Sequence, residues 1–196
     1  MFHLVEEFEN KVADFFGSPY AVATDSCTHA IELCLRLKKH LVFTIPKRTY
    51  LSIPMTAIKL GAAWGWTDDE WQEYYFLGNT NIVDAATMWR EKSYIPNTFM
   101  CLSFQFKKHL ALGRGGIILL DNRDNYIDLK KMSYDGRDLS KPWVGQDITT
   151  IGYHYYMTPE TAQLGIDKLP SAIEKTPKIW SHLDYPDLSK YTVFNG

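Results

Sequence analysis

Hydrophobic residues along the chain follow two kinds of spacing, which predict helices and short strands in turn. Between Phe2 and Phe15 they recur every three to four residues, and Gly17 and Pro19 then end this first helix. Compact apolar runs predict strands at 20–25, 41–46, 81–86, 99–104 and 115–121. Further helices are predicted from Ser26 to about residue 37, at 50–60 with a kink or start at Pro54, at 126–132 and from 159 to about 169. The acidic, aromatic stretch 64–81 receives no assignment.

Short strands that alternate with helices are typical of an α/β domain in which helices cover both faces of a sheet. We therefore expect a three-layer αβα fold with a mostly parallel central sheet. The predicted domain covers residues 1–169. Residues 170–196, which carry Pro177 and Pro186, are predicted to form an arm or irregular cover. In such sheets, ligands bind at the carboxyl ends of the strands.

Composition and charge exclude several classes of partner. The formal net charge of −2 argues against nucleic acid, because phosphate contacts need a clustered positive excess. Cys27, Cys34 and Cys101 form no CxxC pair, and their spacing with His29 does not suit zinc, so no metal site is expected. No apolar run reaches the roughly 20 residues of a membrane span. Residues 1–11 are acidic and lack the apolar core of a signal peptide, so none is expected. The expected location is the cytoplasm.

Four polar clusters come directly after predicted strands. Residues 25–29 open the second helix, whose N-terminus suits a phosphate, although an ordinary N-cap explains the same residues. Asp84 is either a cap or the buried partner of a cation. Residues 152–160 form an aromatic loop with one imidazole, for which core packing or a subunit contact is the simpler explanation.

The remaining cluster, residues 103–116, concentrates positive charge. Lys107, Lys108, His109 and Arg114 lie close in sequence, and neighbouring cations and partial burial both lower the pKa of a lysine. A lysine that is partly neutral can act as a nucleophile. The alternative is a solvated basic turn before the strand that begins at Gly115.

Taken in order, these segments resemble the DegT/StrS family of sugar aminotransferases, which have the fold-type I architecture of pyridoxal-phosphate enzymes. The resemblance rests on Ser26-Cys27-Thr28, Pro46-Lys47-Arg48-Thr49-Tyr50, Asp84-Ala85-Ala86, Ser103-Phe104-Gln105-Phe106-Lys107-Lys108, Gly113-Arg114-Gly115-Gly116 and Gly152-Tyr153-His154-Tyr155-Tyr156-Met157. It is scattered over residues 6–169. The fold it implies is a reduced version of the large domain of these enzymes, without their small domain.

The resemblance implies a pyridoxal 5′-phosphate site. Lys108, five residues after Ser103, would carry the cofactor as an internal aldimine, and Asp84 would pair with the pyridine nitrogen. Tyr50 would stack on the ring. The remaining implied cofactor-binding residues are Cys27, through its backbone, Thr28 and Ser103 at the phosphate, Thr87 where relatives have Gln or His at the phenolic oxygen, and His154, which would reach the phosphate of a neighbouring subunit.

The implied reaction is transfer of an amine, glutamate being the usual donor, to a nucleotide-linked keto sugar through a Lys108 Schiff base. Lys108 would also act as general base and acid. The implied assembly is a homodimer with shared active sites. Two alternatives remain open: a sugar dehydratase of the same family, in which His replaces the lysine, and a non-catalytic module that retains the fold.

Several positions depart from the family pattern. The stretch between Ala62 and Asp84 is much shorter than in the family, which predicts the loss of at least one strand–helix unit. Arg114 stands where the family has Glu, and Cys27 where it has Gly. These departures affect the sugar-nucleotide cleft more than the cofactor contacts.

Overall fold

A computed structural model describes residues 2–194 of the chain. Its helices are α1 His3–Phe16, α2 Cys27–Lys38, α3 Ser52–Leu60, α4 Arg123–Ser133 and α5 Pro159–Glu174. Its strands are β1 Tyr20–Thr24, β2 Val42–Pro46, β3 Ala63–Thr67, β4 Tyr75–Phe76, β5 Ile82–Asp84, β6 Phe99–Ser103 and β7 Gly116–Leu120. Three 3₁₀ turns follow α5, at His182–Asp184, Leu188–Lys190 and Thr192–Phe194. The five helices and five of the strands confirm elements predicted from the pattern of apolar residues.

The predicted three-layer arrangement is confirmed. One layer holds α1 and α5, and its apolar side chains form a core with one face of the strands. Helices α2, α3 and α4 enclose a second core on the opposite face. The strand β7 is buried along its whole length, as expected for a strand covered on both sides.

The central sheet is mixed, which corrects the expectation of a mostly parallel sheet. Its strand order is β1-β7-β6-β5-β4, and among these neighbours only β5 and β6 run parallel. Strand β6 leads through a loop without a helix straight into β7, so β7 returns beside it in the antiparallel direction. Strands β2 and β3 form a separate parallel pair.

The unassigned stretch 64–81 contains β4 and all but the first residue of β3. Strand β4 pairs antiparallel with β5, so that Tyr75 lies opposite Asp84. Between Thr67 and Phe99 the described chain has no helix. Just after β4, Gly78 approaches β2 so closely that a Cβ on it would overlap the Thr44 hydroxyl. The short β4 is thus the neighbour of β5 at this end of the described sheet.

Helix α5 extends further than predicted. It continues to Glu174, with Pro170 inside it, rather than ending near Leu169. Leu169 and Ala172 are buried against α1, and this packing holds the last turns although proline removes one backbone hydrogen bond. Gly165 lies against Phe8, where a Cβ would come within 2.4 Å of the ring. The division of the chain at residues 169 and 170 stays a prediction.

Helices of the length and apolarity that a bilayer crossing requires do not occur among residues 2–194.

Candidate active site

A cavity of about 340 Å³ lies at one edge of the central sheet. Strands β1, β5 and β6 run in the same direction and end there, at Thr24, Asp84 and Ser103. Of the eight site residues predicted from sequence, seven line this cavity: Cys27, Thr28, Tyr50, Asp84, Thr87, Ser103 and Lys108. The tertiary structure thus brings together residues that are up to 81 positions apart in the chain.

Lys108 lies in the loop between β6 and β7. Its N–H donates to the Gln105 carbonyl at 2.8 Å, and this turn directs the Lys108 side chain to the cavity wall. Lys107, by contrast, is exposed. Burial lowers the pKa of Lys108, and the nearby Asp84 and Cys27 act in the opposite direction. The structure therefore selects Lys108 over Lys107 as the amine that faces the cavity.

Asp84 ends β5 and is buried. One of its carboxylate oxygens, Oδ2, accepts the Tyr75 hydroxyl at 2.6 Å, and Oδ1 accepts the Ala86 N–H at 3.0 Å. Burial raises the pKa of Asp84, while these two hydrogen bonds and the charge of Lys108 lower it. Because a carboxylate has about four lone-pair sites, Asp84 can still accept a further donor from the cavity.

Tyr75 was not identified from the sequence. Its hydroxyl is hydrogen-bonded to both Asp84 and Thr49, and its ring is buried in the cavity wall. Burial, followed by the charge of Asp84, raises the pKa of this hydroxyl well above its usual value. Tyr75 thus stays protonated and donates to Asp84. No pattern in the sequence places it there, because the two-residue strand β4 is too short to predict.

The N-terminus of α2 forms another part of the wall. Ser26 caps the helix by accepting the His29 N–H at 3.2 Å, while the first N–H groups of the helix, at Cys27 and Thr28, have no partner within it. The Thr28 hydroxyl donates to Ser52 at 2.9 Å. These N–H groups and the positive end of the helix dipole can bind an anion at the cavity surface.

The structure limits the contacts that two other predicted residues, Thr87 and Tyr50, can make with a ligand. The Thr87 hydroxyl donates its single hydrogen to the Glu73 carbonyl at 2.8 Å, so it can only accept a hydrogen bond from a ligand. Tyr50 lies at the cavity mouth and is 53% exposed.

His154 is the predicted residue that lies outside the cavity. It lies in the segment that follows α4, where its Nδ1 is 2.9 Å from Asp135 Oδ2 and its side chain is 72% exposed. The resemblance assigns this residue to a neighbouring subunit's site, so its role stays a prediction.

A segment after α5, residues 175–194, contributes to the cavity wall. The Tyr185 ring lines the cavity, and its carbonyl accepts the Arg48 guanidinium at 2.8 Å. The Lys108 amine lies 5.6 Å from the centre of the Trp180 ring. Leu188 anchors the segment and is fully buried. The sequence indicated an irregular cover here but did not identify these aromatic contacts.

The cavity mouth carries a charged cluster that the sequence did not predict as a unit. Asp25 lies 2.6 Å from His29 Nδ1 and 2.7 Å from the Arg114 guanidinium. The His29 ring stacks on Tyr155 with centroids 3.6 Å apart. Arg114, which departs from the family pattern, therefore neutralises a carboxylate beside the N-terminus of α2.

Comparison with solved structures shows the same fold in larger proteins. AtS13 from Actinomadura melliaura superposes with a TM-score of 0.77 at 20% identity, over 88% of this chain and 61% of that one. The sugar aminotransferase CalS13 from Micromonospora echinospora gives 0.69 at 16% identity, over 87% and 61%. The PLP form of Spr1654 from Streptococcus pneumoniae gives 0.68 at 18% identity, over 86% and 60%. The chain thus spans about three fifths of the length of these structures.

Sequence comparison gives the family. Among curated proteins, no sequence matches the chain. A family model, described as the DegT/DnrJ/EryC1/StrS aminotransferase family, matches residues 2–75 and 94–183. The unmatched residues between these blocks, 76–93, contain β5 and the turn after it and overlap the end of the shortened stretch. Because the match covers most of the chain, the chain belongs to the DegT/DnrJ/EryC1/StrS aminotransferase family.

Proposed function

We propose that the chain is a pyridoxal-phosphate-dependent aminotransferase with Lys108 as its catalytic amine. The observation that carries this proposal is that Lys108 and Asp84 line one cavity at the carboxyl edge of the sheet. Lys108 lies on the loop after β6, and Asp84 ends the neighbouring strand β5. Family membership and a solved PLP form among similar structures support the same cofactor.

The residues present fit pyridoxal phosphate in three places. The cofactor's phosphate can bind at the N-terminus of α2, where backbone N–H groups and the helix dipole favour an anion. Its protonated ring nitrogen can donate to a remaining lone pair of Asp84. Its aldehyde carbon can face Lys108, whose amine forms no ion pair with another described residue.

Each residue then has a distinct task. When bound, pyridoxal phosphate supplies an aldehyde that condenses with amines and a ring that accepts electrons. Lys108, whose pKa is lowered by burial, provides an amine that loses its proton more readily than an exposed lysine and so can attack as a nucleophile and later move a proton. Asp84 keeps a proton on the ring nitrogen, and Tyr75 holds the carboxylate in position and favours its ionised form.

The proposed substrates are an amino-acid donor, with glutamate as the expected one, and a nucleotide-linked keto sugar as acceptor. The family assignment and the similarity to the sugar aminotransferase CalS13 support this substrate class. Tyr50 and Tyr185 provide aromatic surfaces at the cavity for the ring and for a bound substrate. A cytoplasmic location is part of the proposal and fits the three buried, unpaired cysteines.

A homodimer with shared active sites is the proposed assembly. His154 projects from the surface and can reach a second copy. The segment just before it exposes several large apolar side chains: Trp143, Val144, Ile148 and Ile151. Such a group of exposed apolar side chains marks an interaction surface. Light scattering on the purified chain tests this, because a monomer at micromolar concentration would contradict the shared site.

The experiment that tests the function uses two lysine variants. Purified protein saturated with pyridoxal phosphate is expected to show the visible absorption band of the bound cofactor. Borohydride reduction followed by peptide mapping is expected to place the cofactor on Lys108. We expect Lys108→Ala to abolish both signals and Lys107→Ala to retain them, because only Lys108 faces the cavity.

Addition of glutamate to the coloured protein tests transfer of the amine. An aminotransferase loses the visible band as the cofactor takes up the amine, and 2-oxoglutarate restores it. A coloured protein that does not respond to any amino acid would instead indicate a module that binds the cofactor without turnover. A protein that labels on Lys107, or takes up no cofactor, contradicts the proposal.

A further inference from the structure

Thr49 is a buried residue of the main cavity wall to which the proposed function assigns no task. It follows β2, is only 2% exposed and lines the cavity. Its hydroxyl lies 2.5 Å from the Tyr75 hydroxyl and forms no hydrogen bond with any other group among residues 2–194. Tyr75 in turn lies 2.6 Å from Asp84 Oδ2. Three buried polar side chains therefore form one continuous chain inside the wall, and this chain ends on the carboxylate.

The direction of these hydrogen bonds follows from the number of protons available. A tyrosine hydroxyl carries a single proton, and Tyr75 donates its proton to the ionised Asp84 carboxylate. The Thr49 hydroxyl must then donate its own proton to the Tyr75 oxygen. Both donors thus point the same way along the chain, towards the negative charge.

Hydrogen bonds in such a chain strengthen one another. A hydroxyl that accepts a hydrogen bond becomes a better donor, and the gain is about 10–30% per bond. The chain can reverse when Asp84 is protonated, because the carboxylic acid can then donate to Tyr75, and Tyr75 to Thr49. Hydrogen bonds to an ionised acceptor are roughly twice as strong as those between neutral groups, so the chain as a whole favours the ionised carboxylate.

Trp71 holds the two hydroxyl-bearing residues in place. Its indole N–H donates at 2.8 Å to the carbonyl of Arg48, the residue that precedes Thr49. Its ring packs against the Tyr75 ring with 5.3 Å between centroids, and Trp71 is itself buried. The contact between Thr49 and Tyr75 is therefore fixed by the surrounding fold.

We propose that Thr49 is a positioning residue that acts through Tyr75 to orient the Asp84 carboxylate and to keep it ionised. The inference rests on the proposed function and deepens it, because an ionised and oriented Asp84 is the group that would hold a proton on the cofactor's ring nitrogen. Thr49 itself touches neither cofactor nor substrate in this role, since its only proton is donated to Tyr75.

The test follows the titration of Asp84 by NMR of its carboxyl carbon in the apoprotein, so that no cofactor is needed. Thr49→Val keeps the shape of the side chain and removes the hydroxyl. We expect the Asp84 midpoint to rise by about 0.1–0.7 pH units, which corresponds to 10–30% of a hydrogen bond to a charged group. Thr49→Ala, which also lacks the hydroxyl, should give the same shift. Thr49→Ser retains the hydroxyl and should keep the wild-type midpoint.

A double-mutant cycle shows whether the effect passes through Tyr75. In a Tyr75→Phe background there is no hydroxyl for Thr49 to act on, so Thr49→Val should cause no further shift. Thr98→Val is the matched control, because Thr98 is likewise buried and its hydroxyl donates to the Ile95 carbonyl. Thr98 precedes β6 and so lies at the opposite end of the strands from Asp84. This control should lower the free energy of unfolding and leave the Asp84 midpoint unchanged.

Four results would overturn the role of Thr49. They are an unmoved midpoint in Thr49→Val and Thr49→Ala, a midpoint in Thr49→Ser that shifts as it does in the valine variant, an undiminished effect of Thr49→Val in the Tyr75→Phe background, and an equal shift in Thr98→Val. Failure of the wild-type apoprotein to bind pyridoxal phosphate would instead refute the proposed function. The control of Asp84 by Thr49 would stand, because it is measured without the cofactor.

Discussion

Replacement of Gly116 by alanine tests whether the proposed phosphate site at the N-terminus of α2 depends on close contact with β7. Gly116 opens β7, and a Cβ built on it would lie 2.3 Å from the Cys27 nitrogen and 2.4 Å from the Ser26 carbonyl carbon. Ordinary contacts begin near 3.4 Å, so the backbone of α2 must move by about 1 Å. Both atoms belong to the main chain, and no side chain can rotate away to relieve the overlap.

The expected cost has two parts. Overpacking of this kind destabilises a protein by about 1–3 kcal/mol. In addition, the N–H groups of Cys27 and Thr28 would be displaced from the phosphate, and hydrogen bonds to charged groups contribute about 1.5–3 kcal/mol each. At 1.4 kcal/mol for each factor of ten, the loss of one such bond weakens cofactor binding by roughly 10- to 100-fold.

Two measurements check the Gly116→Ala prediction. Urea denaturation gives the free energy of unfolding, and titration of the apoprotein with pyridoxal phosphate gives the affinity. Gly65→Ala is the matched control, since Gly65 also lies in a strand and a Cβ there would meet nothing within 4 Å. If Gly116→Ala unfolds and binds the cofactor as the wild type does, α2 does not need this contact and the reasoning is refuted.

Two further predictions concern buried carboxyl groups. Tyr75→Phe removes the hydroxyl that donates to Asp84, so the pKa of Asp84 should rise further. An NMR titration of the Asp84 carboxyl carbon in the apoprotein should show its midpoint at higher pH than in the wild type, and an unmoved midpoint would contradict the role of Tyr75. Burial alone would raise the pKa of Glu32, but hydrogen bonds and charges from Lys59 and Arg36 outweigh it and lower the pKa below its usual value. Ionised Glu32 therefore stabilises the fold above about pH 4.3, and this contribution is lost as the pH falls through the lower folded-state pKa. Glu32→Gln should cost about 1–3 kcal/mol at pH 7, measured by denaturation, with a difference from the wild type that shrinks in acid; a constant difference would refute the ionic explanation.

The spacing of apolar residues was sufficient to predict the helices and the longer strands. Helix α1 alternates buried and exposed faces in the sequence itself, and the left-handed Gly17 ends it as expected. Strand β4 could not be predicted, because two residues have no periodicity. The end of α5 was also missed, since Pro170 usually indicates a helix end and only packing against α1 holds the helix beyond it.

The candidate site likewise contains residues that the sequence identified and residues that it did not. The order of short motifs along the chain identified Lys108 and Asp84, and the cavity contains both. The motifs did not identify Tyr75, Trp180 or Tyr185, because these residues reach the cavity through long-range contacts of irregular segments. Such contacts leave no local pattern in the sequence.

By itself, the sequence determined most of the helices and the longer strands and gave a set of candidate site residues, because apolar spacing and side-chain type are local properties of the sequence. Only the tertiary structure decided the direction of the strands, the place of Tyr75 beside Asp84, and the contacts of Trp180 and Tyr185 with the cavity and Lys108. The physical reason is that burial and pairing depend on which distant segments share one core. The mixed sheet arises from the short return between β6 and β7, and the environment of Asp84 arises from the pairing of β4 with β5.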